Sequence, residues 1–440
     1  MYTLAAFRRT LIGVAAWPAF WAKIFEVISM KPVSHKLISY GKLHFFLAFL
    51  FLTLLFAAAW TPEGKVLGHA QLSSQLLLEN PPANYLMGHA PSINERTLLD
   101  SLPLNPEYST IWNVILGQDN GYRWNGVLAL ARPLFCLFHI GQVRYFCMGA
   151  FFLLLFGAAL KISQKLSPAF GFFFLFSFLW GDILSVSYLL NYGGCFMIAF
   201  FAVLLLAGRK PGFWTEHLKS LPFIFYGIGA ITVFIDPATV PIITLGIPLA
   251  TVILLIHKYN LEHTASMLWK YTGSCSFSWS LGFLFMAATK WLAAAFASGQ
   301  NLFPEYISRL AAGSLFSIGS PAKLLQLFYH NLKAFLSPAG FGALYLLIML
   351  AAILAGYFAL FLTGHKPKKS CKPFLPLLPI GMLPFFFYLL APAHAYSNTE
   401  VTFRAFIATL YPLMLFFFCI LDTKRISHSL HTAFHSIWRD

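Results

Sequence analysis

Long apolar runs recur along this 440-residue chain, and they constrain its fold more than any other feature. A helix needs roughly 20 apolar residues to cross a hydrocarbon core of about 30 Å. The sequence predicts such helices near 44–60, 143–160, 167–181, 192–208, 220–235, 239–257, 273–297, 337–363, 374–391 and 403–421. Apolar residues make up 58% of the chain and charged residues 10%, against about 25% charged in a soluble domain. That excludes an ordinary soluble enzyme, a disordered chain and a coiled coil. The expected fold is all-α, a polytopic integral membrane protein of about ten transmembrane helices.

Thirty Lys and Arg against 15 Asp and Glu give a net charge of +15. In a soluble protein that excess points to nucleic acid, whereas in a membrane protein it reports orientation. With the N-terminus inside, the whole excess falls on the cytoplasmic side. It sits before the first helix (Arg8, Arg9, Lys23, Lys31, Lys36, Lys42), in the short inner loops, and around Lys366–Lys372 and Lys424–Arg439. The opposite face is balanced. This predicts a multi-pass protein with both termini cytoplasmic and no nucleic-acid partner.

Three regions are expected: a cytoplasmic interfacial segment 1–43, a transmembrane domain 44–421 with an outer loop 61–142, and a cytoplasmic tail 422–440. In the first, Leu4, Phe7, Leu11, Val14, Trp17, Trp21, Ile24 and Ile28 recur at helical spacing among basic residues. That pattern reads as an amphipathic helix in the interface rather than a cleaved signal. In the tail, His428, His431 and His435 share a face, but no Cys or carboxylate converges on them in sequence to complete a metal set. The six cysteines show no C-x-x-C pair and read as small core residues. No metal motif and no Gly-rich nucleotide loop occurs, so any substrate is expected to arrive in or through the membrane.

The loop 61–142 is the longest connection, and long loops often carry function. After Trp124 it turns apolar, yet Arg132 sits inside that stretch and Arg144 opens the next helix. Arginines at membrane depth are expensive unless each meets an anion. Asp182, Asp236, Lys290, His394, Glu400 and Arg404 fall at the same predicted depth. Such a set can bind a lipid-linked phosphate, because Arg forks match phosphate oxygens and a carboxylate can take a proton from an acceptor hydroxyl. It can equally be a group of structural ion pairs.

Four stretches carry a resemblance. They are Tyr122-Arg123-Trp124-Asn125-Gly126 with Arg132-Pro133-Leu134 and Arg144; Asp236, Thr239, Pro241, Thr244-Leu245-Gly246 and Pro248; Gly282 with Lys290-Trp291; and His394 with Thr402-Phe403-Arg404. Together with the long first outer loop and its interfacial helices, they resemble bacterial membrane proteins of the GT-C class of glycosyltransferases. Two positions depart from that pattern, since Asn125 and Asn398 stand where His is expected. The class places an acidic base soon after the first span, where Glu63 and Glu79 are the nearest candidates.

The resemblance implies an enzyme of the bacterial cytoplasmic membrane that transfers a sugar from a polyprenyl-phosphate donor to an acceptor on the outer face. Its implied site has Asp236 or Glu79 as base, and Arg123, Arg132, Arg144, Lys290, His394 and Arg404 around the substrate. Trp124 and Trp291 are candidates for stacking on sugar. No cofactor is implied. The rival readings are a transporter or flippase for a lipid-linked or anionic solute, a polymerase of lipid-linked glycans, and a non-catalytic membrane protein.

Overall fold

The computed structural model describes residues 31–79, 92–117, 121–260, 264–313, 320–336 and 371–420. The chain divides into two compact units, Met1–Leu50 and Phe51–Asp440. The first is described from Lys31, where the helix Lys31–Ala59 begins. That start lies well before the predicted boundary at 43/44. The N-terminal stripe, the predicted helix 337–363 and the histidines of the tail lie outside the described residues.

Among the described residues every regular element is helical. Eight helices are long and apolar enough to cross a membrane: Leu37–Ala59, Ile140–Lys165, Leu190–Ala207, Leu218–Ile235, Ile242–Tyr259, Ala265–Ser298, Lys372–Leu390 and Thr399–Ile420. The protein is therefore an all-helical membrane protein. The expected stretch 167–181 forms a helix shorter than these spans. Pro168–Trp180 has 13 residues, about 20 Å at 1.5 Å per residue, because Ser167-Pro168 starts it and the Gly181-Asp182 turn ends it.

The large unit is built around Ile242–Tyr259, the most buried span, whose residues 243–256 are all buried. Peripheral spans carry apolar side chains on their exposed faces as well. Phe146, Leu153, Phe156 and Leu160 do so on one helix, and Phe277, Leu284 and Phe296 on another, as a lipid-facing surface requires. Small residues bring helices close. A Cβ on Gly229 would collide with the Trp279 carbonyl, and one on Gly282 with the Tyr226 carbonyl, so Leu221–Ile235 and Ala265–Ser298 touch backbone to backbone. Thr244 links three spans, since its hydroxyl lies 2.8 Å from Thr232 Oγ1 and accepts from Trp279 Nε1 at 3.0 Å.

The connection between the first two spans is itself helical, with segments Glu63–Glu79, Ser92–Ser101, Thr110–Leu116 and Leu128–Leu137. The next span, Ile140–Lys165, opens on a reciprocal cap. Gly141 N–H donates to His139 Nδ1, and the Gln142 side chain accepts from His139 N–H. The last two spans are broken. Prolines 373, 376, 379 and 384 divide Lys372–Leu390 into short turns, and Phe403–Phe406 interrupts Thr399–Ile420 with a tighter 3₁₀ turn.

Candidate functional site

The ionisable residues gather in three places within the large unit. The first surrounds the turn from Asp182 to Leu189. Asp182 has φ 51°, a left-handed conformation that Asp tolerates better than most residues. It offers both its carbonyl and its carboxylate to Arg404. The Arg404 guanidinium donates to the Asp182 carbonyl from Nε at 3.2 Å and from Nη2 at 3.1 Å, and to the Glu400 carbonyl at 2.6 Å. It also meets Asp182 Oδ2 at 3.2 Å and the Ser185 hydroxyl. Arg144 grips Glu95 through a fork, with Nε to Oε1 at 2.8 Å and Nη2 to Oε2. Tyr188 sits between the two pairs, with the Arg144 guanidinium 5.8 Å from its ring centroid. Burial, then the nearby Glu95 charge, pushes the Tyr188 hydroxyl up to about 12.

The second place is a small, partly open cleft lined by Leu55, Asn113, Trp124, Asn125, Arg132 and Lys290 among others. Arg132 is buried and bound through all three of its nitrogens. Its Nε donates to the Ala58 carbonyl at 3.0 Å, Nη1 to the Leu102 carbonyl, and Nη2 to Glu63 Oε2 at 2.5 Å. Glu63 Oε1 in turn accepts from Leu104 N–H at 3.0 Å. Arg132 thus fastens Leu128–Leu137 to the end of the first span and to the 102–104 turn. Lys290 donates to the carbonyls of Val114 at 3.1 Å and Ile115 at 2.6 Å. These lie in the last turn of Thr110–Leu116, where the helix dipole favours a cation.

The third place is assembled from the 121–126, 236–241 and 391–400 segments. Trp124 anchors the first. It is buried, donates from Nε1 to the Met286 carbonyl at 2.7 Å, and packs edge-on against Phe51 and Phe234. Gly126 N–H donates to the Phe234 carbonyl at 2.8 Å, and any Cβ there would strike that carbonyl. Between them Asn125 takes φ 52°. That geometry suits Asn as it would His. With the peptide pinned on both sides, Arg123 is left exposed, and it forms no ion pair among the described residues.

Asp236 ends Leu221–Ile235 and is 5% exposed. Its Oδ1 accepts from Thr239 N–H at 2.9 Å and Oδ2 from Cys195 N–H at 3.1 Å. Gly194 leaves room for this approach, since a Cβ there would lie 2.9 Å from Asp236 Cβ. Burial raises the Asp236 pKa, and the hydrogen bonds from Thr239 and Cys195 oppose that shift.

His394 lies on the short helix Pro392–Ser397. Asn398 Nδ2, which can only donate, stands 3.2 Å from His394 Nδ1. Nδ1 is therefore the acceptor and the neutral ring carries its proton on Nε2. Nε2 is buried and makes no hydrogen bond of regular geometry among the described residues. Burial lowers the His394 pKa, a backbone contact to Ala238 and the Asp236 charge raise it, and the Arg123 charge lowers it. His394 is therefore within electrostatic reach of both Asp236 and Arg123. Tyr192 shares the corner, being influenced by Glu400 and Asp236.

The expected residues thus separate. Asp236, His394 and Arg123 come together. Arg144 and Arg404 flank Tyr188, each bound to a carboxylate of the protein. Arg132 and Lys290 line the separate cleft. The expectation that the arginines share one anion is corrected accordingly, because Glu63, Glu95 and Asp182 supply each with its own. Trp124 and Trp291 are corrected as stacking platforms. Trp124 is buried in the aromatic cluster, while Trp291 stacks on Tyr122 with 6.0 Å between ring centroids and donates to the Tyr122 carbonyl. Glu79 ends its helix, and its side chain lies outside the described residues. Asn398 and Tyr188 were not among the expected functional residues. Neither is charged, and only the fold reveals that one sets the tautomer of His394 and the other sits between two ion pairs. No three His, Cys, Asp or Glu gather as a metal set among the described residues.

No known family, curated protein or solved structure matches the chain.

Proposed function

We propose that the protein is a membrane glycosyltransferase that moves a sugar from a polyprenyl-phosphate donor to an acceptor hydroxyl, in the bacterial cytoplasmic membrane with both termini cytoplasmic. The observation that carries this reading is the corner of Asp236, His394 and Arg123. It offers a desolvated carboxylate with a raised pKa, a buried imidazole, and an exposed guanidinium. In the proposed step the acceptor oxygen attacks the anomeric carbon as the bond from that carbon to the phosphate oxygen breaks. Asp236 takes the hydroxyl proton. Arg123 and the His394 Nε2–H meet the charge that develops on the departing polyprenyl phosphate.

The test presents the reconstituted protein with a panel of polyprenyl-phosphate monosaccharides and measures release of polyprenyl phosphate. Release that is lost in Asp236→Asn and Arg123→Ala supports the reading. No release from any donor by the unsubstituted protein overturns it. The broken spans Lys372–Leu390 and Thr399–Ile420 favour a second reading, a transporter of an anionic lipid or solute, because discontinuous helices are the usual ligand sites of transporters. Flux of a labelled anion across the same vesicles without donor cleavage would select it.

A further inference from the structure

Two helical stretches follow the span Ala265–Ser298 among the described residues: Phe303–Gly313 with 11 residues and Pro321–Leu336 with 16, about 16 and 24 Å. On Phe303–Gly313 the side chains of Phe303, Tyr306, Ile307 and Leu310 share one face, and Glu305, Ser308 and Arg309 the other. The bundle covers only part of the apolar face. Tyr306 is buried beside Tyr122 and Trp291, but Ile307 is 59% exposed and Leu310 49%.

Pro321–Leu336 shows three faces. Leu327, Asn331 and Phe335 are buried. Leu325, Tyr329 and Leu332, at i, i+4 and i+7, form a second apolar stripe that points away, with Leu325 72% and Tyr329 58% exposed. Lys323, Gln326 and Lys333 make the remaining face and are all exposed.

The span before these helices says what covers their stripes. Ala265–Ser298 ends at Gly299, whose φ of +66° turns the chain, and Phe303–Gly313 starts a few residues later. Phe303–Gly313 therefore lies where a transmembrane helix leaves the hydrocarbon, and Pro321–Leu336 packs with it against Pro392–Ser397, the helix that follows the span Lys372–Leu390. Apolar side chains there meet acyl chains, and a neighbouring cationic or polar face meets headgroups and water. Lys stems can rest along the apolar stripe with the ammonium directed outward.

We infer that Phe303–Gly313 and Pro321–Leu336 form a ledge seated on the bilayer surface at headgroup depth, with a lipid surface as its partner. Both helices also pack against Pro392–Ser397, the helix that bears His394. The buried Asn331 makes that contact specific. Its Nδ2 donates to the Ala395 carbonyl at 3.5 Å, and its Oδ1 accepts from Thr402 Oγ1 at 2.9 Å. The ledge thus holds the bilayer surface beside the His394 corner, whatever chemistry that corner performs.

The experiment uses the full-length protein in vesicles of three parts phosphatidylcholine to one part phosphatidylglycerol. A nitrobenzoxadiazole label is placed at Leu310→Cys or Leu325→Cys on the stripes, or at Ser308→Cys or Gln326→Cys on the polar faces. The signal of the unsubstituted protein is subtracted; four of its six cysteines are buried. Lipid brominated near the headgroup is expected to quench the stripe labels about twofold more than lipid brominated near the chain end. Aqueous iodide is expected to quench the polar-face labels. The ledge is overturned if iodide reaches the stripe labels as readily as the polar-face ones. It is equally overturned if both quenchers fail at the stripes, because another protein surface then covers them.

Discussion

Arg404 and Arg123 mark two opposite uses of the same side chain in one bundle. Around Arg404 the protein supplies the anion itself. Asp182, two backbone carbonyls and Ser185 occupy the guanidinium, and the pair joins the end of Pro168–Trp180 to the start of the last span. Around Arg123 it supplies none among the described residues, and the Arg123 charge is felt by the buried His394. A charge matched inside the fold holds helices together. A charge left at the rim of a polar corner is available to a ligand. Position in a membrane protein therefore does not reveal whether an arginine is structural or functional, whereas its partners do.

That contrast can be broken most forcefully at Asp236. If it is the base, Asp236→Asn lowers the transfer rate by about 10²–10⁴-fold, while stability falls by only about 1–3 kcal/mol, the cost of losing one of the two oxygens that accept from Thr239 and Cys195 N–H. A large fall in melting temperature would instead move Asp236 to the structural side. Arg404→Ala is expected to behave in the reverse way. It leaves Asp182 and its turn without their counter-charge and destabilises the fold by about 3–5 kcal/mol, visible as lost protein in the membrane fraction. Near-normal protein with activity abolished would reclassify Arg404 as a ligand residue.

His394→Ala is predicted to slow transfer by about 10²–10³-fold, and His394→Gln to recover part of the loss. Recovery by Gln separates a hydrogen-bond donor, which Gln can replace, from a proton acceptor, which it cannot. Arg123→Ala removes one charge-assisted hydrogen bond worth about 1.5–3 kcal/mol, about 10–100-fold in rate, with no change in stability.

The smallest expected effect is a pH dependence. Burial holds the folded His394 pKa below its ordinary value of 6.5. As pH falls through 6.5 the unfolded chain takes up a proton before the folded one does. Stability is therefore full above 6.5 and declines until the folded pKa is passed. Denaturation midpoints across that window should fall less in His394→Gln than in the unsubstituted protein. Identical slopes would show that the histidine is not desolvated.

Much of the architecture was legible before any coordinates, because a span is a local property. Six of the eight apolar helices overlap predicted stretches closely, while two begin earlier than expected, at Leu37 and Ala265. The 167–181 stretch lies almost where it was expected, as Pro168–Trp180, because Ser167-Pro168 and Gly181-Asp182 bound the helix. The site was legible only as a set of residue types. Asp236 stood out through its turn motif, and Thr239 N–H does hydrogen-bond its carboxylate. Gly282 stood out too, but its role is to let two backbones meet.

What the sequence by itself determined is therefore the membrane-spanning, all-helical character of the chain, since twenty-odd apolar residues leave a helix no alternative in lipid. Which charges cancel each other was decided only by tertiary structure. Pairing Arg132 with Glu63, Arg144 with Glu95 and Arg404 with Asp182 joins residues 69, 49 and 222 positions apart. Electrostatic partnership falls off over a few ångströms of space and takes no account of distance along the chain. The same packing that paired those arginines left His394 within reach of both Arg123 and Asp236.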